Sequence, residues 1–184
     1  MVTDAEETDS ERTYALDLKP GKQPRVWTLP PSKGALGMLG RAHLSMALAP
    51  ADSEFVVVGT GKLLRVFGED PTPVFETQLC DPVLSVALGA DGHTLAASTQ
   101  HDVDDGTVHV WDFRTGNKVW ETAGVVARRV RVHPEKPSVL LLVSPAVVSC
   151  VVVGNDKWDQ SATLLTQPHE HVMDAAFARP GTPE

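Results

Sequence analysis

The chain reads as an all-β protein, and three observations predict it. Valine is abundant, at 25 of 184 residues against 10 aromatics, and β-branched side chains favour the pleated surface of a strand. Glycine and proline number 14 each, enough turn residues to interrupt the chain often. Apolar runs of four to seven residues recur between those turns, and no longer window follows a 3.6-residue apolar period.

The elements follow in order. Residues 1–12 carry five acids (Asp4, Glu6, Glu7, Asp9, Glu11) and one Arg, which predicts a solvated acidic tail. Strands are expected at Thr13–Leu18 and Arg25–Leu29, split by Pro20-Gly21. Residues 30–40 (PPSKGALGMLG) form a Pro/Gly-rich connection. The next strands are His43–Leu48, Phe55–Val58, Leu63–Phe67 and Val74–Thr77. A second set is Val83–Leu88, Thr94–Thr99, Thr107–Asp112 and Lys118–Thr122. The last is Val126–Val132, Val139–Val143, Val147–Val153, Ala162–Thr166 and Val172–Phe177.

Composition narrows the function classes. Sixteen Lys and Arg against 24 Asp and Glu give a net charge of −8, unsuited to binding nucleic acid directly, which needs concentrated positive charge. Two cysteines, Cys80 and Cys150, are too few for a disulfide framework. The opening MVTDAEETDSER has no apolar stretch of the kind that leads a secreted chain. Apolar runs such as Val139–Val143 fall far short of the roughly 18 residues of a membrane span. These features predict a cytoplasmic or nuclear setting.

The strands repeat. His43–Phe67, Pro82–Asp112 and Ala127–Asn155 each hold an alternating strand, a turn (PADS, ADG, PEKP), an apolar strand, a second turn and a third strand. A fourth strand follows each, and the period is about 39–44 residues. A further copy begins at VMDAAFARPG (Val172–Gly181), and Thr13–Leu29 corresponds to the last two strands of an earlier one. Four strands in about 40 residues is the pattern of a propeller blade.

Within the second copy, Ala90–Trp120 resembles a WD40 repeat. The likeness is carried by the Asp91-Gly92 turn, by Asp105-Gly106-Thr107 leading into the third strand, by Trp111-Asp112 closing it, and by the Thr115-Gly116 turn. VRVHPEKPSVLLL (Val130–Leu142) and VMDAAFARPG resemble the start of the same repeat. The other copies have Phe67-Gly68 and Val153-Gly154 where Trp-Asp would stand.

The resemblance implies WD40-like blades. There are about three full four-stranded blades (43–78, 82–122, 126–166) with partial ones at 13–29 and 172–178. They lie in a propeller segment 13–181 between the acidic tail and a short end at 182–184. Family members commonly have seven blades, so an open or incomplete propeller is expected, either a piece of a longer chain or one completed by another subunit. Uncovered blade faces would favour self-association.

Asp105 is expected to bond its own backbone in the turn, Gly106 to supply a positive φ, and Trp111 to form an apolar plate between blades. In the family a His ahead of the first strand joins a Ser/Thr, this Asp and this Trp in a hydrogen-bonded set. Here Gln78–Asp81 stands where that His belongs, so the set is incomplete and the blade is expected to be less rigid.

Three clusters invite a chemical reading. HDVDDG (His101–Gly106) is rich in acids, but its register fails the calcium loop, with Gly106 at position 5 and Phe113 at position 12, so an exposed loop is expected. His169 and His171 lie two apart with no third ligand implied, so no metal site is predicted. The third cluster comes from aligning the innermost strands. Ser45, Ala47 and Ala49 match Ser85, Ala87 and Gly89, and these match Arg129, Arg131 and His133. With Met46, Val86 and Val130 on the core face, the other face is expected to line the central channel, small in two blades and basic in the third. Arg129, Arg131 and His133 are therefore candidate contacts for an acidic partner segment.

No nucleophile elbow, phosphate loop or zincin motif appears, so no catalytic residue and no cofactor is assigned. The leading expectation is a non-enzymatic WD40-type scaffold that binds other proteins. The alternative is a quinoprotein-like β-propeller, because Tyr14–Trp27 and Val108–Trp120 also resemble blades that hold pyrroloquinoline quinone.

Overall fold

The structure, a computed structural model, describes the backbone of residues 12–16, 25–29, 44–48, 55–70, 72–144, 147–153, 159–166 and 175–177. Side chains are described for 45–47, 55–70, 72–144, 147–153 and 175–177. Two compact units are present, Met1–Ala42 and His43–Glu184. The first holds an antiparallel pair, β1 (Arg12–Leu16) and β2 (Arg25–Leu29), with Arg12 opposite Leu29.

The second unit is built of three four-stranded antiparallel sheets, each a simple meander. The first sheet is β3 (Leu44–Leu48), β4 (Val56–Thr60), β5 (Leu63–Phe67) and β6 (Pro73–Gln78). The second is β7 (Val83–Leu88), β8 (Thr94–Asp102), β9 (Asp105–Asp112) and β10 (Asn117–Ala123). The third is β11 (Arg129–Val132), β12 (Val139–Val143), β13 (Val147–Val152) and β14 (Asp159–Thr166). No helix occurs among the described residues. The first strand of each sheet packs beside that of the next, β3 against β7 and β7 against β11.

The sheets face one another, so a middle sheet is buried on both sides. Val57, Leu64 and Val66 of the first sheet meet Val86, Leu95, Ala97 and Trp111 of the second. The opposite face of the second sheet offers Ala87, Ala96, Val108 and Val110 to Val130, Leu140 and Leu142 of the third. Strand β8 is accordingly buried at five successive positions, Leu95 to Thr99, rather than at alternate ones. Burying a Val or Leu side chain contributes about 1.5–3 kcal/mol, so these two seams hold most of the unit together.

This arrangement corrects the channel-lining expectation for the small-residue face. Ser85 and Ala87 are buried at 2% and 6% exposure between the second and third sheets. The reason is geometric: a sheet stacked between two others has no wet face, and only its edges remain open. Ser85 also does specific work there. Its Oγ accepts a hydrogen bond from the Val130 amide of the next sheet at 3.2 Å. Ser45 does the same one sheet earlier, accepting from the Val86 amide at 3.2 Å. The inner strand's edge amide thus finds its acceptor on the preceding sheet, as a buried donor must.

Residues 175–177 continue the pattern. Ala175 and Phe177 pack on Leu141, Val143 and Val148 of the third sheet, while Ala176 between them is exposed. Residues 175–177 are not themselves in a strand, and the rest of the strand expected at Val172–Phe177 lies outside the described residues.

Ser85→Ala leaves the Val130 amide without its acceptor inside the seam. It is expected to lower stability by about 1–3 kcal/mol in a denaturant titration. Ser45→Ala, whose bond is only part-buried, is expected to cost less. Equal, negligible losses would remove the intersheet role assigned to these hydroxyls.

Candidate functional site

The turns come first, because they fix where the sheet ends stand. Asp91 caps the turn between β7 and β8: Oδ1 accepts from the amides of His93 at 3.1 Å and Thr94 at 3.0 Å, and Oδ2 from Thr94 Oγ1 at 2.7 Å. Burial works to raise the Asp91 pKa, but the bonds from Thr94 and His93 outweigh it and hold the carboxyl below its ordinary value. Gly92 follows with φ +68°, a left-handed conformation that glycine adopts without strain. Asp112 repeats the device between β9 and β10, its Oδ1 accepting from Arg114 at 3.0 Å and Thr115 at 3.2 Å. His133 takes the same part after β11, its Nδ1 accepting from the amides of Glu135 at 3.0 Å and Lys136 at 3.2 Å.

The segment His101–Gly106 is not the loop its polarity predicts. Strand β8 runs on to Asp102 and β9 begins at Asp105, so a hairpin extends with Val103 and Asp104 at its tip. Backbone pairing needs only amide groups, and the polar side chains of His101, Asp102, Asp104 and Asp105 stay exposed, as does Val103 at the tip, 75% exposed. Two expected roles change here. Asp105 is exposed, and the local carboxylate cap comes instead from Asp102, whose Oδ1 accepts the Val103 amide at 2.7 Å. Gly106 is not at positive φ. It is glycine because a Cβ there would lie 2.5 Å from the Thr99 carbonyl and 2.8 Å from that of Val125. Thr107 offers its carbonyl to Thr99 Oγ1 at 3.3 Å.

The loop before β7 is tied to the hairpin by a pair outside the family's hydrogen-bonded set. The loop supplies the acid, Asp81, and the hairpin supplies the base: His101 Nδ1 lies 3.0 Å from Asp81 Oδ1. The Asp81 hydrogen bond and charge raise the His101 pKa above its ordinary value, and Asp105 and Asp102 add to it.

Trp111 is 4% exposed and sits in the seam between the first and second sheets. Phe75 of β6 lies against it with ring centroids 6.1 Å apart. His109 stacks on it at 5.3 Å and 23°. His109 was not foreseen, although its place in the alternating run Val108–Trp111 puts it on the tryptophan's face. Its Nδ1 lies 3.0 Å from Glu121 Oε2, and Glu121 also pairs with Lys118. Burial lowers the His109 pKa, opposed by Glu121. At the other end of the seam, Arg114 stacks 4.3 Å over the Phe55 ring and donates from Nε to the Gly92 carbonyl at 3.1 Å.

The candidate partner contacts Arg129, Arg131 and His133 lie along one side of β11 and its following turn. Arg129 is exposed and donates to the Arg128 carbonyl at 3.1 Å. Arg131 is half-buried and donates to the Val130 carbonyl at 3.4 Å. The His133 ring, besides capping its turn, lies 4.6 Å from Phe177. Among the described residues no group of three His, Cys, Asp or Glu side chains is placed to hold a metal ion. His169 and His171 lie outside the described residues.

Solved structures of the same architecture exist. The chain is similar to the RRP9 WD40 repeats, with TM-score 0.58, 12% identity, and 71% of this chain and 41% of that one covered. It is similar to the Cps50 (Swd1) β-propeller domain of Myceliophteria thermophila, with TM-score 0.56, 12% identity, and coverage of 64% and 38%. It is also similar to U3-55K, with TM-score 0.57, 12% identity, and coverage of 71% and 41%. No family model and no curated protein matches the sequence. The likeness shows the fold: an incomplete β-propeller of WD40 type, as the sequence predicts. The chain spans about two-fifths of the length of the structures it matches.

Two measurements check this account. Gly106→Ala pushes a methyl group into two backbone carbonyls and is expected to cost about 1–3 kcal/mol. An NMR titration should place His101 above and His109 below the ordinary value of 6.5. The raised His101 stabilises the fold fully below about pH 6.5 and loses that contribution as pH rises through its folded value. The lowered His109 works the other way, its burial costing stability as pH falls below about 6.5. Asp81→Asn should bring His101 down; an unmoved His101 would disprove the pair.

Proposed function

We propose that the chain is a non-enzymatic interaction scaffold working within a larger propeller. The remaining sheets would come from further polypeptide or from another subunit. The observation that carries this reading is the use of the polar side chains in the second sheet. Asp91, Asp112, His109 and Ser85 each hold a turn or a seam together, which makes a rigid platform rather than a reaction centre. Such platforms bind through what they present at their edges, and function follows from the site rather than the fold.

The contact proposed here is the basic side of β11 at Arg129, Arg131 and His133, with an acidic segment of a partner protein as its complement. A cytoplasmic or nuclear setting fits a soluble scaffold of this kind. The exposed Ala176 beside the third sheet marks where further chain or a second subunit would pack, and also where copies would self-associate.

The expected result is a discrete complex with a partner protein that survives gel filtration. Replacing Arg129 and Arg131 by Ser should weaken it while leaving cooperative unfolding intact. Failure to isolate any stoichiometric complex, together with a turnover activity in the purified chain, would overturn the scaffold reading.

A further inference from the structure

Among the described residues Val103 is the most exposed large hydrophobic side chain, at 75%. The next two, Val119 and Val74, are a matched pair. Each is the residue skipped by a β-bulge in an outer strand, Val74 in β6 and Val119 in β10. They begin the related runs Val74-Phe75-Glu76-Thr77 and Val119-Trp120-Glu121-Thr122. Both recur, so they belong to the blade. Val103 has no counterpart in the first sheet. There Gly59 lies opposite Ser45, and the hairpin closes just beyond, from Thr60 to Leu63 through Gly61-Lys62. In the second sheet Ser98 lies opposite Ser85, but the hairpin runs on past Thr99 and Thr107 to Val103-Asp104.

The tip breaks a local rule. A two-residue hairpin turn favours Gly, Asn or Asp, because its backbone twist asks for conformations that a β-branched side chain resists. Valine stands first in this one, and at its exposure it gains little from packing. A local rule broken without a gain in packing points to function. The turn is held from the side instead. Gln100 Nε2 donates to the carbonyls of Asp102 at 2.9 Å and Val103 at 3.4 Å. Asp102 Oδ1 accepts the Val103 amide, and the His101–Asp81 pair ties the strand to the preceding loop. The valine is thus presented on a tip already fixed, so little ordering remains to oppose a contact there.

The surroundings set the charge of what meets it. Asp102, Asp104 and Asp105 are exposed, and among the described residues none of them forms an ion pair. An aliphatic side chain among carboxylates is complementary to an aliphatic side chain flanked by Lys or Arg. We propose that the β8–β9 hairpin tip docks a basic segment of a partner protein, with Val103 against an aliphatic side chain of that segment and Asp102, Asp104 and Asp105 against its flanking cations. The three acids alone make a solvated turn; Val103 gives the tip its preference. The inference rests on the scaffold reading and adds a contact on the second sheet, with the chemistry of its partner.

The test is fluorescence anisotropy on the full chain. The probes are two labelled synthetic Lys/Ser peptides of equal charge, one with a single Leu at its centre where the other has Ser. Wild type should prefer the Leu peptide by roughly three- to tenfold, the share of a valine's burial that a tip contact recovers. The decisive variant is Val103→Ser, which removes no packing and so should fold; thermal unfolding verifies it. It should bind both peptides alike. Val119→Ser removes an exposed valine from the same sheet and should keep the preference. Asp104→Asn with Asp105→Asn should weaken both peptides and flatten their salt dependence. Equal binding of the two peptides by wild type, a preference that survives Val103→Ser, an equal loss in Val119→Ser, or an unchanged salt dependence in the double variant would overturn the inference. A stoichiometric partner complex that Val103→Ser leaves intact would also overturn it, while the scaffold reading would stand.

Discussion

Each sheet of the His43–Glu184 unit must hide two faces, and the rest of the structure depends on how closely its neighbours approach. Apolar side chains on both sides of β8 and β9 supply the attraction, with Leu95 and Trp111 toward one sheet and Ala96, Val108 and Val110 toward the other. The inner strands limit the approach. There the residues are small: Ser45 and Ala47 on β3, Ser85 and Ala87 on β7. Small residues let strand edges come close enough for a serine hydroxyl to meet the next sheet's amide. The bond then satisfies a donor that burial would otherwise leave costly. Close packing and polar satisfaction are therefore one solution rather than two.

The same economy governs the sheet ends. A propeller-type stack leaves its turns in water, so local hydrogen bonds must set them against solvent competition. Asp91 and Asp112 do this with one carboxylate oxygen taking two successive amides. His133 shows that the requirement is for an acceptor at the right distance rather than for an acid, since an imidazole nitrogen takes the same two amides. Asp81 and His101 make a parallel point at the other end of the sheet. A loop must be tied to a hairpin, and a pair outside the family's set makes the tie.

The repeat was legible because its cause is local. Leu63–Phe67, Val83–Leu88 and Val139–Val143 are strands as their apolar runs predict, since burial on two faces writes itself as continuous hydrophobicity. Trp111 was legible as a plate between sheets for the same reason. The hairpin at His101–Gly106 was not, because its pairing is made by backbone groups that leave no mark on side-chain polarity. Gly106 was recognised as obligatory but for the wrong cause: the constraint is a carbonyl at 2.5 Å, which belongs to β8, and not a torsion of its own. The burial of Ser85 was missed because small residues fit both a wet edge and a tight seam. Only the position of the next sheet distinguishes them.

That ambiguity is what gives Arg129 its meaning. Read in one strand, an arginine on a β-edge is an ordinary surface residue. Read against Ser45 and Ser85, it stands where the other two inner strands carry an acceptor and supplies a donor instead. Internal repeats thus let one molecule serve as its own control: what recurs across the sheets is explained by packing, and what departs from recurrence calls for another cause. Asp91 and Asp112 recur in kind, and so belong to the framework. The paired arginines of β11 do not recur on β3 or β7, so the packing shared by the first two inner strands is not what places them there.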